Sequence, residues 1–534
     1  MEIKEFLKER GLMRGFPLAV MDEVSVIPDE VDEAEIGKRR NLTDELIVTI
    51  DGEDAKDLDD AISIKVLENG NYYLGVHIAD VSHYVKENTL LDDEAYNRGT
   101  SVYLVDTVVP MLPEKLSNGI CSLNPNVLRL TMSVFMEIDG NGGIINYEIC
   151  ESVIKSRMRM TYANVTKVLD GSMAARNEYH DFIPMFENMR NAALLLRDKR
   201  MRRGSVDFDF PEPKVVTDER GKVVEIKKYP IAISNRMIEE FMLAANETVA
   251  RHLNTLELPL IYRVHERPEP EKIAKFANLA RMLGYKFKLK EEIAPKAMQN
   301  LLFEIDGTAD QLVLNTAMLR SMMKARYSEE NQGHFGLAAE YYCHFTSPIR
   351  RYPDLMVHRI LRLWLNGKLK KTAIAKYTKL CQKAALQSSE TENDAVIAER
   401  DYTDYKMCEY MADKVGMEYA GIICSVTSFG FFVQLDNMVE GLVRMVDLGD
   451  DYYIFNEENF SLIGRRSGKQ YHIGQKIAVK LAKVNTELRQ IDFVPIEKAK
   501  KEKKTRREEH GKAKHKHRGK QKAPVKKKGV RGRQ

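Results

Sequence analysis

Residues 51–60 hold six acidic side chains, Asp51, Glu53, Asp54, Asp57, Asp59 and Asp60, against a single base, Lys56. Carboxylates this dense repel one another unless cations hold them together. Oxygen-only donors suit a hard ion such as Mg²⁺ or Mn²⁺, which keeps waters or substrate phosphates in its shell and so favours phosphoryl chemistry. The competing reading is a solvated acidic turn. A calcium loop fits poorly, because the EF-hand offsets of Asp, Asn, Gly and closing Glu are not met. A second constellation is His344-Phe345-Thr346-Ser347-Pro348-Ile349-Arg350-Arg351-Tyr352-Pro353-Asp354-Leu355, in which two prolines frame two arginines. Proline fixes φ, so the pair sits on a stiff loop. It can clamp a phosphate bidentately or serve as ordinary salt-bridge partners.

These groups need elements to hold them. Residues 45–50 and 61–66 are β-branched runs on either side of the acidic segment, which predicts a loop anchored at both ends in a sheet. Further strands are predicted over residues 72–79, after an Asn69-Gly70 turn, and over 130–138. Asp80, just past the first of these, is placed either to support the acidic loop from beneath or as a structural hydrogen-bonding aspartate. Residues 155–415 are mostly helical, with amphipathic runs at 185–203, 234–253, 270–284, 309–325, 352–366 and 371–412, interrupted by short β signals at 206–208 and 223–226. From 416 the pattern alternates again, and about five short strands by residue 494 suit an OB-type barrel that stacks single-stranded nucleic acid on aromatics. Phe429, Phe431 and Phe432 are the candidate stacking residues, with core packing the alternative for some of them.

At 534 residues the chain has room for several domains, and 44% hydrophobic content is ordinary for a globular protein. No apolar run reaches the roughly 18 residues of a membrane span, and the charged N-terminus is unlike a secretory signal, so a cytoplasmic protein with no membrane attachment is expected. The six cysteines are never closer than sixteen positions, which excludes a zinc ribbon or redox pair. Charge is unevenly placed: residues 498–534 carry eighteen Lys/Arg against three Glu, a balance of +15, leaving −12 for residues 1–497 of a chain whose formal total is +3. Such a tail is expected to be disordered and to gather phosphates by counterion release. The division is a helical lead-in (1–44), a catalytic domain (45–412), a barrel (416–497) and the tail (498–534).

The acidic segment, Asn97-Arg98-Gly99-Thr100-Ser101-Val102-Tyr103, Val109-Pro110-Met111-Leu112-Pro113, residues 345–354 and the terminal barrel occur in an order that resembles the ribonuclease II/ribonuclease R family over about residues 10–534. The resemblance implies an α+β fold: an RNB-type catalytic domain, a mixed sheet surrounded by helices, followed by an all-β S1-type OB-fold. It implies a processive, Mg²⁺-dependent 3′→5′ exoribonuclease, with Mn²⁺ as the alternative ion, releasing nucleoside 5′-monophosphates. A non-catalytic RNA-binding factor on the same fold is the other reading. By family match, Asp51, Asp57, Asp59 and Asp60 hold the metal, and Asp59 is needed for cleavage but not for binding. Arg350 contacts the scissile phosphate, Tyr103 and Phe208 stack on the last bases, and Glu399 supports the terminal nucleotide. Expected partners are single-stranded RNA with a free 3′ end and ribosomes or RNA-decay factors, with the chain acting as a monomer. Relatives usually carry two cold-shock-type barrels ahead of the core, and this chain opens almost at the core's lead-in, which implies a truncated or naturally shorter form.

Overall fold

A computed structural model describes residues 3–208, 212–288 and 292–496; the basic tail, expected to be disordered, lies outside the described residues. The chain begins with helix α1 (Ile3–Glu9) and continues through two short helical segments into the sheet. Seven strands form that sheet: β1 (Arg40–Leu42), β2 (Val48–Asp51), β3 (Asp60–Val66), β4 (Tyr72–Ala79), β5 (Leu128–Ile138), β6 (Ile144–Lys155) and β7 (Met158–Thr161). Their order is β1-β6-β5-β4-β3-β2-β7, antiparallel in the middle, with β1 and β7 added in parallel at the two edges. The turn into β4 is set by sequence: Asn69 accepts the Asn71 N–H on its side chain, and Gly70 takes φ 82°. β5 is buried along almost its whole length, as a strand covered on both faces must be.

Helices α2 (Ile183–Arg203), α3 (Ile233–Thr255), α4 (Pro270–Met282), α5 (Pro295–Ile305), α6 (Gln311–Ser321), α7 (Tyr352–Leu365) and α8 (Lys371–Met411) follow, with the hairpin β8 (Pro213–Thr217) and β9 (Val223–Lys228) between α2 and α3. Proline in the first turn starts α2, α4, α5 and α7, where its missing N–H has no partner to lose. The sheet and helices α2, α3 and α7 share one apolar core. Helices α4–α6, the end of α8 and the barrel share a second. Burial of each large side chain contributes about 1.5–3 kcal/mol, so the barrel is fused to the helical layer rather than tethered to it.

The barrel is closed by β10 (Glu418–Thr427), β11 (Gly430–Leu435), β12 (Glu440–Arg444), β16 (Lys476–Asn485) and β17 (Gln490–Pro495) in the order β10-β11-β12-β17-β16. A three-stranded sheet, β13 (Tyr453–Asn456), β14 (Ser461–Gly464) and β15 (Gln470–His472), is inserted between β12 and β16. The mixed α+β body followed by an all-β OB barrel is the architecture that the sequence implied. Three local readings change. Residues 206–208 are coil; the strand pair there is β8 with β9, beginning at Pro213. The inserted sheet and α5 had no expected counterpart. Phe431 is fully buried against Tyr471 inside the barrel, ring centroids 4.7 Å apart, so it is a core residue and not a stacking surface. Among the described residues no helix is long and apolar enough to cross a membrane.

Candidate active site

The acidic segment is the connection between β2 and β3, and its backbone is gripped from outside. Arg159, on β7 beside β2, donates from Nη2 to the carbonyls of Gly52 (3.3 Å), Glu53 (2.7 Å) and Ala55 (2.7 Å). Ser122 Oγ accepts the Leu58 N–H (3.1 Å) and donates to the Lys56 carbonyl (2.8 Å). The solvated-turn reading does not survive this, since Asp59 is 3% exposed and Asp51 and Asp60 are half-buried at the facing strand ends.

Asp59 Oδ1 accepts the Ile349 N–H at 2.9 Å, while Oδ2 has no hydrogen-bond partner and lies 3.5 Å from Arg350 Nε. The two arginines of the proline-framed loop face opposite ways. Arg351 is turned inward and paired with Asp354 (2.7 Å), which also accepts the Ser347 N–H (2.8 Å) and so stiffens the loop. Arg350 stays half-exposed over Asp59, its backbone carbonyl fixed by the Ser101 N–H (3.0 Å). Arg351 is therefore the inward salt-bridge partner, while Arg350, held by Asp59 (3.5 Å) and by Ser347 Oγ (3.1 Å), keeps part of its guanidinium towards solvent. Tyr103 donates its hydroxyl to Asp57 and its N–H to Glu399 Oε1 (2.9 Å) on α8. These contacts join Asp57, Asp59, Arg350, Tyr103 and Glu399 in one place.

Electrostatics reflect the crowding. Burial, and then the charge of Asp59, push the Asp51 carboxyl up to about 7. Burial and Asp51 push Asp60 up to about 8. Burial holds Asp59 well above the carboxylate range even though Arg350 and the Ile349 N–H oppose it. Burial also raises Glu399. Among the described residues no three His, Cys, Asp or Glu side chains already stand as a closed ligand set. The donors nevertheless fit a hard divalent cation: Asp51 Oδ2 and Asp59 Oδ2 are buried acceptors without hydrogen-bond partners, and all four candidate ligands are carboxylates.

Glu399 also lines a cavity of about 800 Å³ between α8 and the barrel, shared with Arg400, Phe429, Phe432, Arg489 and Asp492. Phe429 is 55% exposed and Phe432 half-buried there. Phe208 is half-buried at the margin of the second apolar core. Asp80, just past the end of β4 where the Ala79 N–H donates to the Asp59 carbonyl (2.9 Å), is buried and paired with Arg39 (2.8 Å) and Arg362, so its carboxylate is a structural ion-pair partner and not a member of the acidic cluster. The sequence reading missed Arg159 and the Ile349 N–H. Arg159 acts through a parallel pairing across about a hundred residues, and a backbone donor carries no residue-type signal.

Comparison with known proteins fits this geometry. A sequence model of the RNB domain matches residues 39–367, and one of the S1 RNA binding domain matches residues 412–494. This chain belongs to the RNB family, in its ribonuclease R branch. It is similar to ribonuclease R 1 of Lactococcus lactis, 48% identical over 92% of this chain and 60% of that protein. It is also similar to ribonuclease R of Thermotoga maritima, 45% identical over 93% of this chain and 70% of that one. The chain thus spans under two thirds of the Lactococcus relative's length. Among solved structures, Mycoplasma genitalium RNase R in complex with ribose-methylated single-stranded RNA superimposes with a TM-score of 0.87 at 31% identity, over 92% of this chain and 77% of that one. The RNB core here is residues 39–367, and every carboxylate of the β2–β3 connection falls inside it.

Proposed function

We propose that this RNB chain is a processive 3′→5′ exoribonuclease that hydrolyses single-stranded RNA to nucleoside 5′-monophosphates, using Mg²⁺ or Mn²⁺ held by Asp51, Asp57, Asp59 and Asp60. The observation that carries the reading is Asp59 Oδ2, a buried carboxylate oxygen that accepts no hydrogen bond and faces the half-exposed guanidinium of Arg350 at 3.5 Å. When bound, the divalent ion supplies Lewis-acid polarisation of the phosphate and positive charge against the leaving 3′ oxygen. The chain's own residues do the rest. The Ile349 N–H fixes one oxygen of Asp59 and aims the other into the site. Arg350, exposed on its outer side, donates to the phosphate oxygens as charge grows on them. Tyr103 orients Asp57 through its hydroxyl and presents its ring beside the terminal base, with Glu399 fixing its backbone. Phe208 is the second stacking ring at the RNA terminus. Phe429 and Phe432 offer stacking surfaces further along the strand, which tolerate any base and explain digestion without sequence preference. A threaded strand needs no second subunit, so the chain acts as a monomer, in the cytoplasm.

A non-catalytic RNA-binding role would leave the four carboxylates and Arg350 without a task. The deciding experiment incubates 5′-labelled RNA with Mg²⁺ and compares the parent with Asp59→Asn. The parent is expected to shorten the RNA from its 3′ end, releasing mononucleotides from the first turnover, and the variant to lose about 10³-fold in rate while still binding RNA. Internal fragments from the parent, or an undiminished variant, overturn the reading.

A further inference from the structure

The wall between α8 and the barrel is tied from behind by a knot of charges that none of the steps above uses. Asp401, on α8, is ion-paired with Arg10, just beyond α1, and with Arg489 Nη1 (2.8 Å), in the turn between β16 and β17. All three side chains are mostly shielded, with 16% exposure for Asp401, 21% for Arg489 and 30% for Arg10. Both guanidiniums also rest against the Phe6 ring, at 5.9 and 5.8 Å from its centroid, and that fully buried ring packs on Tyr402 at 4.9 Å. Arg400 adds only a distant contact to the same carboxylate (3.9 Å) and is itself largely exposed. Three separate pieces of chain, α1, α8 and a barrel turn, therefore meet on one carboxylate.

The knot's position gives it a consequence. Glu399, Arg400, Thr403 and Asp404 of α8 line the 800 Å³ cavity and Asp401 does not; Arg489 both binds Asp401 and lines that cavity. The barrel wall opposite carries Phe429 and Phe432. A partly buried carboxylate shared by two arginines resists displacement far better than an exposed single pair. The barrel also has an exposed tie to the helical layer, Lys275 with Glu457 (3.1 Å), whose side chains are 75% and 71% exposed and which cannot hold position to the same degree.

We propose that Asp401, through Arg10 and Arg489, is a positioning residue that fixes the spacing between α8 and the barrel face, and so sets affinity for RNA long enough to reach the barrel without touching the cleavage step. The proposal rests on the exoribonuclease reading only for the direction in which RNA enters. Its test measures binding in EDTA, where no turnover is needed, alongside turnover with Mg²⁺. Asp401→Asn and Arg10→Ala are expected to weaken binding of an RNA of about 20 nucleotides, longer than one OB barrel covers, by about tenfold. Binding of an oligomer of about five nucleotides, and kcat at saturating RNA, stay at parental values, and Asp401→Glu recovers much of the loss. Equal weakening for both lengths, or a fall in kcat matching the fall in affinity, would mean the knot merely holds the fold together and overturns the proposal. So would unchanged binding of the long RNA by a folded Asp401→Asn protein. A parent that binds in this length-dependent way but releases no mononucleotide would sink the exoribonuclease reading and leave the knot standing.

Discussion

Asp80→Asn removes one negative charge from between two arginines while leaving the side-chain shape unchanged. Asp80 is 1% exposed, is ion-paired with Arg39 Nη1 (2.8 Å), and accepts hydrogen bonds from Arg362 and Ser82 Oγ (2.8 Å). Burial alone would push its carboxyl up, but Arg362 and Arg39 together outweigh burial and hold it below the usual carboxylate range. Deleting one member of a buried pair strands its partners and costs about 3–5 kcal/mol. Glu151, 3.5 Å from Arg39 and 3.3 Å from Arg362 and one-fifth exposed, retains some countercharge, which places the loss at the lower end, about 3 kcal/mol. The single tryptophan, Trp364, lies two positions beyond Arg362 on α7, so urea unfolding followed by its fluorescence reads this junction directly. Because the folded carboxyl is depressed, its contribution is present above the unfolded value near 4 and disappears as pH falls below that. The gap between parent and variant is therefore expected to hold steady between about pH 5 and 8, to narrow below about pH 4, and to close only at still lower pH, where the folded carboxyl itself takes up a proton. A gap under about 1 kcal/mol at pH 7, or one that persists undiminished at pH 3, would refute the reasoning.

Other outcomes follow from the site. Arg350→Ala should lower kcat on RNA about 10²-fold with little change in unfolding midpoint, since the side chain is half-exposed; Arg350→Lys should recover only part of that, because a lone ammonium lacks the planar fork, and full activity for lysine would count against a bidentate role. Phe429→Ala and Phe432→Ala should each weaken RNA binding by about 1–3 kcal/mol without unfolding the barrel, whereas Phe431→Ala should destabilise it by about 3–5 kcal/mol; the reverse pattern would mean the barrel face is misassigned. In EDTA, folded Asp51 and Asp60 keep protons up to about 7 and about 8 while the unfolded chain ionises near 4, so the melting temperature should fall as pH rises towards 8. Adding Mg²⁺ should restore most at pH 8, and Asp60→Asn should flatten both effects; identical pH slopes for parent and variant would argue against crowded carboxylates as the cause.

Much of this architecture was legible in the residues themselves. The alternation in residues 72–79 predicts β4 with its bounds unchanged, and the helical periods at 185–203, 352–366 and 371–412 fall within two residues of α2, α7 and α8. Local pattern reports local structure, so it could not report the parallel edge strands β1 and β7, whose partners lie about a hundred residues away. The inserted strands β13–β15 are three or four residues each, too short for alternation to rise above noise. The Phe-Gly-Phe-Phe turn shows the limit within the site. Spacing could say that neighbouring rings face opposite ways, but not which way is inward until the pairing of β11 with β10 and β12 placed Phe431 at the core.

The hydrogen bond from Ile349 to Asp59 spans 290 positions of sequence. The four clustered carboxylates fall within ten positions and the Asp59 carbonyl is held locally by the Ala79 N–H (2.9 Å), yet the donor that fixes the Asp59 side chain comes from the loop before α7. On the proposed reading, a chain cut short before residue 349 would keep all four carboxylates and lack the donor that orients the Asp59 side chain.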